Sequence, residues 1–439
     1  MTKDEKYSIA KWAMDHAVKN GAQQARVSIY NNNSSQIEVR DEKIDKLQES
    51  NRNGMQIHLY VDNKYSSIST NRITNKEELG TFIKEAIAGT RYLAEDEFRT
   101  LPDPERYYKG DGPDLKTVDP DFGSVDPQQK VQDAFDLEKE VLGSDERIIS
   151  VSTSYRDGMS GNIMMASNGF EGDSENSYYS LSASVSVSDG EARPRGGWYE
   201  SAIFSEQLIR KEIGKKALKR ALDRLGQAKI KSGKMPMIVE NKMAGSTLGP
   251  LISALNGSSI QQKQSFLIGK KGEKIGSEIM NIVDDPFIVS GRGSRLFDSE
   301  GMATKKMPLV ENGILKNYYI DTYYGKKLEM EPTTGGTTNL VFKPGELDLE
   351  GLLAGINRGI LVTGFNGGNN NGATGDFSYG IEGFLVEKGK LIQPVAEMNI
   401  TGNFKQLWND LVAVGKDVDL SRSWRLPSLV FDNVDFSGI

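Results

Sequence analysis

The sequence predicts an α+β protein, with a mixed helix and antiparallel-sheet N-terminal region and a β-rich C-terminal domain. Three observations favour this fold class. Amphipathic helical segments and short alternating segments follow one another up to about residue 228. A stretch rich in proline, aspartate and glycine interrupts them between residues 101 and 127. From Met235 onward, short glycine-rich strands predominate and long helices are few, as is typical of a β-rich domain.

Residues 1–100 are predicted to form one α/β subdomain. A helix over residues 3–20 places Trp12, Ala13 and Ala17 on one face. Four alternating segments follow as predicted strands: ARVSIYN, SQIEVRD, GMQIHLYV and KYSSIST. Asp62 and Asn63 are predicted to form the turn between the last two. A second helix is expected from about residue 75 to residue 93.

Residues 101–127 are predicted to be a linker or a long surface excursion, since they hold five of the 14 prolines. The element order then recurs over residues 128–232, the second predicted α/β subdomain. A helix near residues 128–142 precedes the segments RIISVSTSYRD, GNIMMASNG and SLSASVSVSDG, and a long basic helix is expected over residues 205–225. We therefore expect residues 1–95 and 126–228 to be a duplication of a helix–four-strand–helix unit.

Residues 235–439 are predicted to form the β-rich domain. Its strands are expected in MPMIVE, NGILKNYYID, GILVTGF and SLVFDNV, and a hairpin in FLVEKGKLIQPV. Its opening helix lies in GSTLGPLISALNGSS, residues 245–259, where Leu248, Leu251, Ile252 and Leu255 share one face. Asn241 is its expected cap, and Asn256-Gly257 its expected end. No residue on the polar face of this helix titrates.

Composition excludes several classes of function. The net charge of −7 argues against direct nucleic-acid binding, which needs a basic face. The chain has no cysteine, so disulfides, thiolate nucleophiles and cysteine zinc sites are excluded. The first residues lack the apolar core of a signal peptide, and no apolar run is long enough to span a bilayer. We expect a cytoplasmic protein with no membrane association.

Only two histidines are available for catalysis or metal binding. His16 continues the Trp12 face of the first helix, and a half-buried structural role is expected. His58 lies on the polar side of its strand, where a solvated or hydrogen-bonded side chain is expected. Neither has a second histidine at helical spacing, and the chain contains no GxSxG motif. These facts exclude an HExxH-type zinc site and a nucleophile elbow, so no catalytic residue, metal ligand or cofactor site is assigned.

Other short patterns are weak. Ser8 and Lys11 match SxxK inside an ordinary amphipathic helix, and GKKGEK from Gly269 lacks Walker spacing. The basic residues of the predicted helix 205–225 are interpreted as a solvated face rather than a nucleic-acid contact: Lys211, Lys215, Lys216, Lys219, Arg220 and Arg224. The acids with the best spacing for a hard cation are interpreted as acceptors for turn amides: Asp284, Asp285, Asp298 and Glu300.

The segment GFNGGNNNGATGDFSYG, residues 364–380, is the least ordinary part of the sequence. Glycine and asparagine tolerate irregular backbone and the close approach of another chain. Gly375, Asp376, Ser378 and Gly380 border the strand YGIEGFLVE and are the candidate peptide- or partner-facing residues, with recognition by strand addition. The alternative is a surface turn in which Asp376 caps local amides.

The C-terminal third resembles the TldD/TldE family of metallopeptidases, whose TldE branch is also called PmbA and was once described as a modulator of DNA gyrase. The resemblance lies in residues 297–328 (FDSEGMATKKMPLVENGILKNYYIDTYYGKKL), 374–404 (TGDFSYGIEGFLVEKGKLIQPVAEMNITGNF) and 414–417 (VGKD). The catalytic branch, TldD, carries HExxxH on a helix and a cysteine near its C-terminus. Here the corresponding helix has no histidine or glutamate, and VDLSRSWRLPSL has no cysteine. These departures place the chain closest to the TldE branch.

This resemblance implies a non-catalytic subunit of a heteromeric zinc metallopeptidase that acts on unfolded peptides. The zinc would then lie in a TldD-like partner, and the isolated chain is expected to form a homodimer. Two alternatives remain open: an autonomous metallopeptidase with an all-carboxylate site around Asp284, Asp298 or Glu300, and a free-standing peptide-binding scaffold.

Overall fold

A computed structural model describes all 439 residues and confirms the α+β fold class. The N-terminal part is built on one six-stranded antiparallel sheet with the strand order β3-β2-β1-β4-β5-β6. Its strands are β1 (Gln24–Arg40), β2 (Lys43–Val61), β3 (Lys64–Thr70), β4 (Ile148–Ala166), β5 (Phe170–Val187) and β6 (Arg195–Ala202). Asp62 and Asn63 both have positive φ, as the predicted turn between β2 and β3 requires.

The predicted four-strand units are wrong, because each half contributes three strands, of which two are long. ARVSIYN and SQIEVRD lie in the single strand β1, and RIISVSTSYRD and GNIMMASNG lie in β4. The polar residues between them have the composition of a turn, yet Asn32 is paired with Arg52 on one side and Ser160 on the other. Since both edges of β1 are paired there, the strand continues. The recurring unit is therefore helix–three strands–helix.

Four helices cover one face of this sheet: α1 (Lys3–Lys19), α2 (Lys76–Thr90), α3 (Pro127–Lys139) and α4 (Ile213–Leu222). Two hydrophobic clusters lie beneath them, one under α1 and α2 and one under α3 and α4. Because β1 supplies Ile29 to the first cluster and Ile37 to the second, both helix pairs pack on the same face.

The predicted basic helix over residues 205–225 is shorter than expected. Residues 205–207 form a 3₁₀ turn, and α4 begins only at Ile213, after Glu212 in a left-handed conformation. The carboxylate of Glu140 accepts hydrogen bonds from the amides of Glu212 and Gly214, both at 2.7 Å. This contact from the end of α3 determines where α4 starts. Hydrophobic periodicity in the sequence cannot predict it.

The first part of residues 101–127 runs over the opposite face of the sheet, whereas Phe122 and Val125 pack against the cluster under α3 and α4. Leu101, Tyr107 and Leu115 are buried along this path. Tyr107 packs on Phe170, which in turn packs on Phe297 of the C-terminal part. The division at residues 101–127 stays a prediction, but the segment is packed between the two parts of the chain.

The C-terminal part contains a closed five-stranded barrel, formed because the outer strands of a curled sheet also pair with each other. Its strands, in order round the barrel, are β7 (Gly233–Val239), β12 (Arg358–Asn370), β13 (Asp376–Glu387), β14 (Lys390–Asn403) and β17 (Leu429–Ser437). The predicted hairpin is present, with Lys388 and Gly389 at positive φ between β13 and β14.

Shorter elements surround the barrel. A second, five-stranded sheet contains β8 (Ile282–Asp284), β9 (Met307–Glu311), β10 (Ile314–Leu315), β11 (Leu340–Phe342) and β16 (Trp424–Arg425), and β15 (Leu411–Val414) pairs with β17. The helices are α5 (Ala244–Ala254), α6 (Gly257–Gln261), α7 (Thr322–Leu328), α8 (Leu349–Ala354) and α9 (Phe404–Asn409). The predicted strand NGILKNYYID is reduced to two residues, and its buried residues Tyr318, Tyr319 and Ile320 lie in irregular chain.

No helix in this structure has the length and apolar character needed to cross a membrane.

Candidate functional site

Helix α5 opens the C-terminal part, and its apolar stripe is buried as predicted. Leu248, Leu251, Ile252 and Leu255 belong to the core cluster that also fills the barrel. The helix begins one residue after Met243 and has no side-chain cap. Asn241, the predicted cap, instead donates its amide hydrogen to the carbonyl oxygen of Asp417. The prediction that Asn241 caps α5 was therefore wrong, because its side chain binds Asp417, 176 positions later in the sequence.

The first turn of α5 lines a cavity of about 600 Å³ between the N-terminal sheet and the C-terminal part. Gly245 and Ser246 form its floor, and no side chain on this turn is longer than that of serine. Trp424 covers the helix, with a ring atom 3.9 Å from the point where a Cβ on Gly245 would lie. The other lining residues are Tyr199, Ser201, Asn241, Arg292, Ser421, Arg422, Ser423 and Leu426.

Cationic side chains surround this cavity. Arg422 donates to the hydroxyl of Tyr199, and Arg292 donates to the hydroxyl of Ser201. None of the lining residues is acidic. We call the group formed by Tyr199, Ser201, Arg292, Ser421 and Arg422 the arginine cluster.

The carboxylate of Asp419 is buried beside the cavity, in contact with the lining residues Ser421 and Arg422. It accepts hydrogen bonds from Lys242 at 3.0 Å and from the hydroxyl of Ser421 at 2.6 Å. Burial alone would raise the pKa of Asp419, but the hydrogen bond from Ser421 and the charge of Lys242 lower it. Asp419 thus pairs with Lys242 at 3.0 Å and with Arg422 at 3.6 Å, so one carboxylate faces these two cations and Arg292. The two arginines leave the cavity with an excess of positive charge.

The residues at the start of α5 do not fit a zinc ion. A hydrolytic zinc site needs about three histidine, cysteine or carboxylate ligands and an open position for water. Gly245 and Ser246 offer only a hydroxyl, and the guanidinium groups of Arg292 and Arg422 repel a divalent cation. No step of a reaction can be assigned to a metal at this position in this chain.

The acids considered for a carboxylate metal site have other hydrogen-bond donors. Asp284 accepts from the hydroxyl of Tyr319 at 2.6 Å and from the amide and hydroxyl of Thr338. Asp298 accepts from the amides of Glu300 and Met302 at 2.9 and 3.1 Å. Glu300 itself accepts from the amide of Thr322, the first residue of α7, at 2.8 Å. These acids therefore serve as acceptors for turns, and no group of three or more potential ligands in the chain is arranged to hold a metal.

Both histidines make contacts within the fold. His16 stacks on Trp12 with ring centroids 4.9 Å apart. His58 hydrogen-bonds through Nδ1 to the hydroxyl of Tyr65 at 2.7 Å. Burial, followed by the charges of Arg26 and Arg99, lowers the pKa of His58 from 6.5 to about 3. His58 is therefore neutral at physiological pH.

The basic residues of the predicted helix 205–225 were expected to form a solvated face, and the structure shows this for only some of them. Arg220 pairs with Glu240, and Arg224 pairs with Glu382, so both arginines reach across to the barrel. The lysines of the same helix remain partly or fully exposed. Part of this face is thus an internal contact between the two halves of the chain.

Of the four predicted peptide-facing residues, Gly375 and Asp376 lie at the tip of the β12–β13 hairpin, and Ser378 and Gly380 lie within β13. Gly375 has a φ of +86°, and Asp376 is exposed and accepts from Thr374 at 2.6 Å and Asn403 at 2.8 Å. Hydrogen bonds from these two side chains lower the pKa of Asp376. The peptide- or partner-facing role of Gly375, Asp376, Ser378 and Gly380 stays a prediction.

Strand addition at β13 is contradicted by the pairing of this strand. Ser378 pairs with Asn369 on one side and with Thr401 on the other, so β13 has no free edge at this position. Within this hairpin only β12 has a free edge, since β7 pairs with it no further than Val362 and residues 366–370 are exposed. A segment that adds to the tip of the hairpin would have to pair with β12.

Sequence reasoning did not identify the arginine cluster. Arg422 lies in VDLSRSWRLPSL, a segment interpreted only for its lack of cysteine. Arg292 lies 130 positions earlier, in a loop before residue 297, and no spacing pattern links the two. The only local signal is the first turn of α5, which lacks large side chains and therefore leaves room for a cavity.

The sequence matches all three domains of one family. PmbA/TldA metallopeptidase domain 1 matches residues 25–89, the central domain matches residues 120–225 and the C-terminal domain matches residues 232–438. The chain is 29% identical over 432 residues to the metalloprotease PmbA homolog of Haemophilus influenzae, covering 97% of this chain and 95% of the relative. It is 26% identical over 418 residues to metalloprotease PmbA of Escherichia coli O157:H7, covering 94% and 92%.

Solved structures agree with these matches. A Bacteroides thetaiotaomicron protein named as a candidate modulator of DNA gyrase is 52% identical, with a TM-score of 0.98 and full coverage of both chains. TldE from Thermococcus kodakarensis has a TM-score of 0.83 at 21% identity, covers 98% of this chain and 100% of its own, and shows the shared fold. Sequence and fold thus agree along the whole chain, which belongs to the PmbA/TldD metallopeptidase family.

Proposed function

We propose that this chain is a non-catalytic, TldE-like subunit of a heteromeric zinc metallopeptidase that degrades or processes unfolded peptides. The observation that carries the proposal is the first turn of α5. It opens onto the cavity between the two parts of the chain, where the catalytic branch of the family is expected to carry HExxxH. Here Gly245 and Ser246 occupy that turn, and the arginine cluster faces it.

In this proposal a TldD-like partner supplies the zinc and the general-base glutamate, and this chain completes the chamber around them. The chain contributes walls and peptide-binding surface, and it contributes no group that activates water. The complex is proposed to act in the cytoplasm, since a chain without cysteine needs no oxidising compartment for folding. The net charge of −7 supports a role without direct nucleic-acid contact.

The deciding experiment mixes the purified chain with a TldD-like chain from the same organism. We expect no cleavage of an unstructured peptide by this chain alone. The mixture should cleave it faster than the catalytic subunit alone, and a chelator should stop the reaction. Replacing the glutamate of the partner's HExxxH should abolish cleavage. Comparable cleavage by this chain alone would refute the proposal and favour an autonomous enzyme.

A matched variant controls for the two histidines. His16→Gln with His58→Gln should leave cleavage by the mixture nearly unchanged, because neither side chain lines the cavity. Loss of cleavage by a double variant that folds normally would contradict the mechanism. If the two chains do not associate and this chain binds peptide by itself, the free-standing scaffold is the correct alternative.

The isolated chain is further proposed to form a homodimer that gives way to the heteromer when the catalytic subunit is added. The unpaired edge of β12 over residues 366–370 is a surface on which another chain could pair. Sedimentation velocity of the chain alone should show a dimer at micromolar concentration. A monomer across this range would contradict the proposal.

A further inference from the structure

We propose that the arginine cluster binds the C-terminal carboxylate of an extended peptide in the cavity over α5. This inference rests on the proposed function for the nature of the ligand. It goes beyond that function by naming the group that is recognised and the residues that recognise it.

Arg292 differs from two other arginines at the boundary between the two parts. Arg220 and Arg224 cross the boundary and each meets a glutamate, Glu240 or Glu382. Arg292 also crosses it, but its only hydrogen-bond partners are the hydroxyl of Ser201 and the carbonyl oxygen of Ser421, both neutral. A guanidinium group that reaches a cavity without a carboxylate has its charge available for a ligand.

Both guanidinium groups keep free donors. Arg422 uses Nε for the hydroxyl of Tyr199 and lies 3.6 Å from Asp419, while its two terminal nitrogens have no acceptor in the chain. Arg292 uses only Nη1, so Nε and Nη2 remain free. Asp419 is shared between Lys242 at 3.0 Å and Arg422 at 3.6 Å, so this single carboxylate does not offset the charges of Lys242, Arg422 and Arg292 together.

The two arginines are anchored on neighbouring positions of one strand face. Tyr199 and Ser201 are two residues apart on β6, so their side chains point to the same face, with Cα atoms roughly 7 Å apart. The hydroxyl of Tyr199 accepts a hydrogen bond from Arg422 and that of Ser201 from Arg292, and both arginines line the same cavity. We therefore expect one terminal carboxylate to contact both guanidinium groups.

The rest of the cavity suits the residues that precede such a terminus. Trp424 and Leu426 provide an apolar wall for the last side chain, and Ser246 and Ser423 provide hydroxyl groups that make no hydrogen bond within the chain. The volume of about 600 Å³ lies in the range of ordinary ligand sites. The floor at Gly245 lets a peptide backbone approach closely.

The test compares two forms of one peptide on the full chain. A flexible hexapeptide ending in leucine carries fluorescein at its N-terminus and has either a free C-terminal carboxylate or a C-terminal amide. Fluorescence anisotropy should give at least a tenfold lower Kd for the free acid, since charge-assisted hydrogen bonds are lost in the amide. Equal binding of the two forms, or no binding of either, would overturn the inference.

Variants identify the site. Arg292→Gln and Arg422→Gln should each reduce the preference for the free acid to less than threefold. Arg358→Gln, which removes an exposed arginine paired with Glu387 on the barrel, should leave the preference unchanged. Arg422→Lys keeps the positive charge but lacks the planar guanidinium group with its paired donors. This variant should therefore retain only part of the preference for the free acid. An unchanged preference in both glutamine variants with native melting temperatures would overturn the assignment.

Two further measurements separate other outcomes. If inorganic phosphate displaces the peptide at concentrations where acetate does not, the arginines serve a phosphate and the inference fails. Association with the TldD-like chain is measured on the same variants. If the free acid and the amide bind equally while the chain still associates with the TldD-like chain, only this inference is overturned. If the chain prefers the free acid but does not associate with the TldD-like chain, only the proposed function is overturned.

Discussion

Arg220 on α4 and Glu240 at the end of β7 form a two-point ion pair, with nitrogen–oxygen distances of 2.8 and 2.6 Å, across the boundary between the N-terminal sheet and the barrel. Both side chains are largely shielded from solvent. Arg220 also lies over the ring of Trp198, so it is held by stacking as well as by charge. This pair and the neighbouring pair of Arg224 and Glu382 connect the two parts beside the first turn of α5.

Removing Arg220 is predicted to destabilise the chain far more than removing its neighbour. Arg220→Ala leaves Glu240 partly buried without a partner, which costs roughly 2–4 kcal/mol. Lys219→Ala breaks the exposed pair with Asp223 on the same helix and should cost no more than about 0.5 kcal/mol. Urea unfolding of the two variants measures this difference. Equal losses in the two variants would show that the cross-boundary pair has no special role.

Gly196 is predicted to be essential for packing, whereas Gly197 is not. A Cβ on Gly196 would lie 2.3 Å from both the carbonyl oxygen of Ala217 and the amide nitrogen of Ala221, which are rigid backbone atoms of α4. Gly196→Ala should therefore lower the free energy of unfolding by about 3 kcal/mol or more, because α4 must shift off the sheet. A Cβ on Gly197 meets nothing closer than 3.6 Å, so Gly197→Ala is the matched control. Thermal unfolding should separate the variants by many degrees, and similar melting temperatures would contradict this packing.

His58 is predicted to make the fold sensitive to acid. Its pKa of about 3 in the folded chain lies below its ordinary value of 6.5, so the unfolded chain binds the proton first as pH falls. The contribution to stability is complete above pH 6.5, declines between pH 6.5 and pH 3 and reaches roughly 2 kcal/mol of loss by pH 5.

The variant His58→Gln isolates this effect, because glutamine does not titrate and can still meet the hydroxyl of Tyr65. As pH is lowered from 7 to 5, the free energy of unfolding of the native chain should fall relative to that of the variant. Denaturant titrations at several pH values measure it. Parallel pH profiles would rule out His58 as the titrating group.

The purified chain is predicted to contain no stoichiometric zinc, and a chelator should leave its melting temperature unchanged. The physical reason is that Asp284 and Asp298 already accept hydrogen bonds from backbone amides and hydroxyls, while the cavity at α5 is cationic. Elemental analysis and a melting curve with EDTA provide the measurement. About one tightly held transition metal per chain would instead support the carboxylate site around Asp284, Asp298 and Glu300.

Features with local causes could be derived from the sequence alone. The turn at Asp62-Asn63 and the buried stripe of Leu248 and Leu251 follow from backbone preferences and helical periodicity, which act over a few residues. The identities of the residues were also enough to show that α5 carries no histidine or glutamate.

Tertiary structure decided what depends on contacts between distant segments. The polar stretch around Asn32 becomes strand because β2 and β4 pair with both of its edges, and α4 begins at Ile213 because Glu140 binds its first amides. The arginine cluster exists because Tyr199 meets Arg422 across 223 positions of sequence. Secondary-structure propensity and hydrophobic periodicity cannot predict such a contact, because its geometry is set only when the N-terminal sheet and the barrel pack together.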